Sequence, residues 1–231
     1  MDVKSNSYYY MKKNQTSEGA RYMVENLICL VIGYFCGCIS SSYIVGKFYH
    51  IDIRDAGSGN AGTTNVLRTL GKFPALITFI GDLAKAAVPL LIVRFAINTP
   101  QGWYLVCLYT GLGVVLGHNY PFYMGFKGGK GIAVTAAVVM FTSHPVMIPI
   151  GIIVFASVVA ISRYVSLGSL FVAWYIPVNT LVLYNKDRQF IHMMVISLIF
   201  TALAYFQHRQ NIIRIFNGTE NKISGGRKSS K

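Results

Sequence analysis

The sequence predicts an all-α, polytopic integral membrane protein with about seven transmembrane helices. Two observations carry this: 53% of the 231 residues are apolar, and they fall in blocks of membrane length. A third concerns the loops. Eight acids against twenty-one bases leave a net charge of +13, and the bases lie between the apolar blocks. Such a balance suits anionic headgroups and anionic substrates. It does not indicate a nucleic-acid binder, because the bases are spread along loops and form no basic helix. Cys29, Cys36, Cys38 and Cys107 all sit inside apolar runs without a CxxC partner. They read as small packing residues, neither disulfides nor metal ligands.

Residues 1–25 are polar, with a tyrosine cluster at 8–10 and no period that would pack a core, and read as a flexible tail. No signal peptide is expected, because the apolar run that follows is too long and lacks a small-residue cleavage site. The membrane-embedded domain is expected over 26–222, with a basic flexible tail over 223–231. Its first helix is uncharged over 27–46, and Gly33 and Gly37, four apart, let one face approach another backbone closely. The second run, 74–97, contains Asp82 and Lys85 three apart on one face. Ionised groups at membrane depth must pair or face a wet cavity, so this face is expected to look into the bundle near a polar site. A short third run covers 103–117, with Trp103 and Tyr104 as interfacial anchors. Residues 131–162 are too long for one untilted span, and His144-Pro145 near the middle predicts two short helices joined by a turn. The sixth run is 167–184 and the seventh 191–206.

Between the runs lie three polar segments. GSGNAGTTNVLRTLG, from Gly57 to Gly71, crowds glycines at 57, 59 and 62 with Ser58, Asn60, Thr63, Thr64, Asn65 and Arg68. Glycines let consecutive N–H groups turn toward one anion, and the arginine fork matches phosphate oxygens. The string fits neither a Walker A loop nor a dinucleotide fingerprint, since no strand precedes it. GHNYPFYMGFKGGKG, from Gly117 to Gly131, places Lys127 and Lys130 among further glycines. HRQNIIRIFNGTENK, from His208 to Lys222, sets His208, Asn211 and Arg214 three apart along one helical row. Glu220 in this segment is open to three roles: general base, partner for a cation, or turn residue.

Sorting the bases by loop gives Lys47, Arg54, Arg68, Lys72, Lys127, Lys130, Arg163 and the C-terminal bases on one side. Arg94, Lys186 and Arg188 fall on the other. With seven crossings, the positive-inside rule then predicts the amino end outside and the carboxyl end in the cytoplasm. The basic N-terminal tail runs against that orientation.

Three long segments in this order closely resemble the bacterial acyl-phosphate-dependent glycerol-3-phosphate acyltransferases, the PlsY family. The resemblance spans about 27–222. Ala61, Thr63 and Tyr120 depart mildly from the family pattern. The resemblance implies a seven-helix membrane enzyme that moves a fatty acyl group from acyl phosphate to the 1-hydroxyl of sn-glycerol 3-phosphate, giving lysophosphatidate and phosphate. It implies no cofactor and no metal. The expected partners are the two substrates and membrane lipid, with an upstream acyl-phosphate-producing enzyme as a candidate. Carried over residue by residue, phosphate binding falls to Ser58, Arg68 and a lysine of FKGGKG, either Lys127 or Lys130. His208 and Asn211 fall on the glycerol phosphate. Across the three segments the expected substrate-binding set is Ser58, Gly59, Asn60, Asn65, Arg68, His118, Lys127, Gly128, Gly129, Lys130, His208, Asn211 and Glu220. His208, Ser58 and Arg68 are expected at the chemistry.

Two alternatives remain at this stage. His50 and Asp55 have the H-x4-D spacing of acyl-CoA-dependent acyltransferases, a two-residue pattern that arises easily by chance. A transporter for a phosphorylated metabolite would also use basic, glycine-rich loops, but no internal repeat is visible.

Overall fold

A helix that is apolar on every side sits either inside the core or against lipid, and one segment of this chain takes the first place. In the computed structural model, which describes residues 3–96 and 102–223, helix α5 (Trp103–Asn119) buries 14 of its 17 residues. It forms the central post of the bundle. Around it pack α1 (Val3–Cys38), α4 (Lys72–Ala96), α6 (Ile132–Thr142) and α10 (Phe190–Gln207). The remaining helices are α2 (Ser41–Phe48), α3 (Thr63–Leu70), α7 (Met147–Ser162), α8 (Val165–Val172), α9 (Tyr175–Tyr184) and α11 (Arg209–Phe216). Among the described residues there is no strand.

Glycines set the closest contact in the bundle. A Cβ on Gly33 would overlap the Thr110 carbonyl, and one on Gly37 the Val114 carbonyl. Reciprocally, Gly113 and Gly117 of α5 lie against the carbonyls of Leu30 and Tyr34. The close approach expected of the Gly33/Gly37 face is therefore made, and its partner is α5.

Membrane character follows from four stretches long and apolar enough to cross: Glu18–Phe48, Lys72–Ala96, Val165–Tyr184 and Phe190–Gln207. Helices α6 and α7 are shorter, at 11 and 16 residues. They are separated at Ser143–Val146, so the turn expected at His144-Pro145 is present. Helix α7 buries none of its residues; it leans mainly on α8, with Tyr175 of α9 against Gly151 and donating to the Met147 carbonyl, and presents bare Ile and Val side chains as a lipid-facing element does.

Three boundaries differ from the sequence reading. The backbone of α1 is helical from Val3, through most of the segment expected to be a flexible tail. That segment contains no proline, and Arg21 pairs with Glu25 one turn away at 2.9 Å. The first run is not one helix: it breaks at Ile39–Ser40, and α2 restarts with the Ser40 hydroxyl accepting from the Tyr43 N–H. Backbone groups freed by the break find side-chain partners. Tyr123 Oη donates to the Cys38 carbonyl at 2.8 Å and accepts from the Ser40 N–H at 3.3 Å, and Lys85 donates to the Ile39 carbonyl at 2.8 Å. The run over 167–184 likewise breaks between α8 and α9, where Thr201 Oγ1 donates to the Ala173 carbonyl at 2.8 Å. The basic C-terminal tail beyond Ile223 and the end of the second run, from Ile97, lie outside the described residues.

Candidate active site

The first polar segment is shaped from below by a single side chain. Asn65, 1% exposed, accepts from the Ser58 N–H at 2.7 Å and donates to the carbonyls of Ile53 and Ala56, both at 2.9 Å. The loop therefore folds over an asparagine core. Gly57, with φ of +61°, lies so close to Asn65 Oδ1 that a Cβ would overlap it. Ser58 and Gly59 are exposed at the crest of the loop, and the Ser58 hydroxyl makes no hydrogen bond to any described residue. Asn60 is half-buried beside Gly62. Arg68 projects from the last turn of α3, exposed and without a carboxylate partner among the described residues. Asn65, expected in the binding set, thus has its amide fully used in holding the loop.

The second segment is pinned to the last turn of α5. Gly128 and Gly129 donate their N–H groups to the carbonyls of Asn119 and His118, each at 3.0 Å. The Ala61 carbonyl of the first loop also faces Gly129, so the two loops share a wall. Lys127 is exposed, whereas Lys130 turns inward and donates to Asn211 Oδ1. Burial lowers the Lys130 ammonium to about 8, and the cations Arg214 and Arg68 push the same way against Glu220. His118 is buried, with Nδ1 2.8 Å from Lys85 Nζ.

The third segment supplies the opposite wall. His208 sits at the junction of α10 and α11, 3% exposed, with Nδ1 2.8 Å from the Ala204 carbonyl. A carbonyl can only accept, so Nδ1 carries the proton and Nε2 presents a lone pair. Burial, then the nearby Lys130, depress His208 to about 4, which keeps the imidazole neutral at pH 7. Glu220 is the keystone of this wall. Its Oε1 accepts from Asn211 Nδ2 at 2.6 Å and from Ser166 Oγ at 2.9 Å, while Oε2 pairs with Arg214 at 2.7 Å. Burial pushes its carboxyl up, but these donors outweigh burial and hold it below the ordinary range. Of the three roles open to Glu220, the geometry is that of partner for a cation.

The three polar segments therefore meet. Lys130 bonds Asn211, which with Arg214 holds Glu220, and Arg68 lies near enough to act on the Lys130 charge; Glu220 is the carboxylate at this locus among the described residues, with neutral His208 beside it. Surplus positive charge lined by amide and hydroxyl donors is suited to phosphate groups. His50 and Asp55 do not assemble into a pair: both are exposed and no hydrogen bond or ion pair joins them. Sequence reasoning missed Ser166, because a serine in the apolar stretch VSLGSLFV carries no signal of its distant partner.

A family model for glycerol-3-phosphate acyltransferases matches residues 27–218. The chain belongs to the glycerol-3-phosphate acyltransferase family. Relatives bearing that name are 43% identical over 203 residues in Clostridioides difficile, covering 85% of this chain and 95% of the relative. In Shouchella clausii the figure is 40% over 204 residues, covering 87% and 98%. Among solved structures, the crystal structure of PlsY, an integral membrane glycerol 3-phosphate acyltransferase, in its glycerol 3-phosphate form superposes with a TM-score of 0.74 at 33% identity. It covers 86% of this chain and 96% of PlsY. The lysophosphatidic acid form gives a TM-score of 0.72 at 32% identity. This member of the family is accordingly an acyltransferase and an integral membrane protein of phospholipid synthesis.

Proposed function

We propose that this acyltransferase moves a fatty acyl group from acyl phosphate to the 1-hydroxyl of sn-glycerol 3-phosphate, releasing 1-acylglycerol 3-phosphate and inorganic phosphate. The observation that carries this reading is the cluster of Arg68, Lys130 and Arg214 against the single carboxylate of Glu220. Two phosphorylated substrates need more than one cationic cradle, and the chain brings cations from three segments to one place. The names of the solved relatives, with glycerol 3-phosphate in one form and lysophosphatidic acid in the other, support the acceptor and the product.

An acyl phosphate is already activated, so positioning and charge neutralisation supply the rate without an enzyme nucleophile. The glycerol hydroxyl oxygen attacks the acyl carbon, and the bond from that carbon to the phosphate oxygen breaks. His208 Nε2, on the free side of a ring fixed by Ala204, is set to accept a hydrogen bond from the attacking hydroxyl. An imidazole held near 4 is a weak proton sink, so the proton passes to a substrate phosphate. The exposed Ser58 hydroxyl and the exposed Arg68 guanidinium cover a phosphate from the first loop, with the Asn60 side chain beside them.

This reading puts the loops bearing these groups at the cytoplasmic face with the amino end outside, as the bases on their side of the bundle support, and has an upstream acyl-phosphate-producing enzyme deliver the donor there. The deciding experiment gives purified protein in lipid sn-glycerol 3-phosphate with palmitoyl phosphate, and palmitoyl-CoA in parallel. Lysophosphatidate is expected from the phosphate donor alone. Product from palmitoyl-CoA only, or glycerol phosphate uptake into sealed vesicles without acylation, would overturn the reading.

A further inference from the structure

The end of α5 that holds the lysine loop is itself held by a buried cation the chemistry above does not use. Lys85 Nζ lies 2.9 Å from Asp82 Oδ1, 2.8 Å from His118 Nδ1 and 2.8 Å from the Ile39 carbonyl. The side chains of all three residues are at most 6% exposed, and Asp82 Oδ1 meets Lys85 as an ion pair without a hydrogen bond to any described residue. An ammonium has three protons and no acceptor, and here it meets three acceptors. The contact to a carbonyl and a carboxylate makes Lys85 the donor, so Nδ1 of His118 accepts and its proton sits on Nε2. That nitrogen faces Gly129 so closely that a Cβ there would overlap it, with the Ala61 carbonyl on the same spot.

We infer that Asp82, Lys85 and His118 are positioning residues: one buried ammonium locks the α1–α2 break to the end of α5 and thereby fixes the Gly128–Gly129 backbone that delivers Lys130. The chain of contacts is continuous. Lys85 orients His118; the His118 ring packs on Gly129 and its carbonyl accepts the Gly129 N–H; Lys130 is the next residue and reaches Asn211. A buried ion pair stabilises little against an apolar pair of similar size, which makes a structural role alone a poor account of one placed behind this loop. The inference rests on the proposed reaction for its purpose but not for its geometry.

Its test reads Lys130 directly. Reductive methylation of Lys130, followed by mass spectrometry across pH in the full chain, should give a labelling midpoint near 8, set by burial among Arg68, Arg214, His208 and Glu220. Replacing the pair together, Asp82→Leu with Lys85→Met, leaves no unpaired buried charge. The double variant, in which the Ile39 carbonyl also loses its donor, should still fold at a somewhat lower melting temperature, and its Lys130 midpoint should rise by about one pH unit or more while kcat/KM falls at least about tenfold. His118→Gln, which alters only the ring, should shift the midpoint in the same direction if the double variant does not fold. An unchanged midpoint in a folded variant overturns the inference. Absence of acyl transfer by the wild-type chain with the midpoints shifted as expected overturns the proposed reaction and leaves the positioning role standing.

Discussion

Lys127 and Lys130 are three positions apart in one glycine-rich loop, and only their surroundings separate them. The first is exposed; the second is sunk against Asn211 and shares its locus with Arg68 and Arg214. Lys130→Ala should lower kcat/KM by about a hundredfold or more, the scale of losing a charged group aimed at a reacting phosphate, while Lys127→Ala should stay within about threefold. Parallel assays of the two variants check this. Asn65→Ala should destabilise the protein by about 3 kcal/mol, because it removes the core of the loop and leaves the Ile53 and Ala56 carbonyls and the part-buried Ser58 N–H without their partner. Denaturation midpoints in detergent measure it. For Glu220 the sign runs with pH. Its folded value lies below the ordinary carboxylate range, so its stabilising contribution is present above that range and is lost as pH falls through the lowered value. The melting-temperature gap between wild type and Glu220→Gln should therefore narrow on acidification and vanish in strong acid. A constant gap would contradict the network drawn around its carboxylate.

Among the helices, what the sequence made legible was length, apolarity and the faces of small residues. Gly33 and Gly37 announced a close approach, and the structure adds only the partner, α5. Gly37→Val should force α1 and α5 apart and cost about 3 kcal/mol, seen as a lower melting temperature with activity lost in proportion to unfolded protein. The helix breaks were illegible for a physical reason. No proline or charge marks Ile39–Ser40, and the break exists because Tyr123 and Lys85, both distant in sequence, satisfy its backbone groups. Asp82 and Lys85 could be placed on one face by their spacing, but not against His118, which requires the packing of α4 on α5.

At the scale of the whole molecule, the site is an agreement among segments that lie far apart in the chain. Glycine-rich loops were visible as phosphate-type loops in isolation; which of their residues face the ligand and which hold the scaffold was not. Asn65 and His118 belong to the scaffold by their contacts, and Ser166 joins the wall through Glu220 without any local signature. With Lys130 depressed to about 8, the reaction should lose rate as pH rises through that value, because the ammonium that neutralises phosphate gives up its proton. Initial rates from pH 6 to 10 at saturating donor test this, and Lys130→Arg should remove the alkaline fall in whatever activity it keeps.

The position of Glu220 along the chain has a further consequence. Its carboxylate, which Asn211, Ser166 and Arg214 all seek, leaves the ribosome after every one of them. A chain that stops short of it therefore leaves Asn211, Ser166 and Arg214 without the acceptor they share. A stop codon after Asn217 should yield a protein that inserts into the bilayer but melts below the full chain and never becomes a working enzyme.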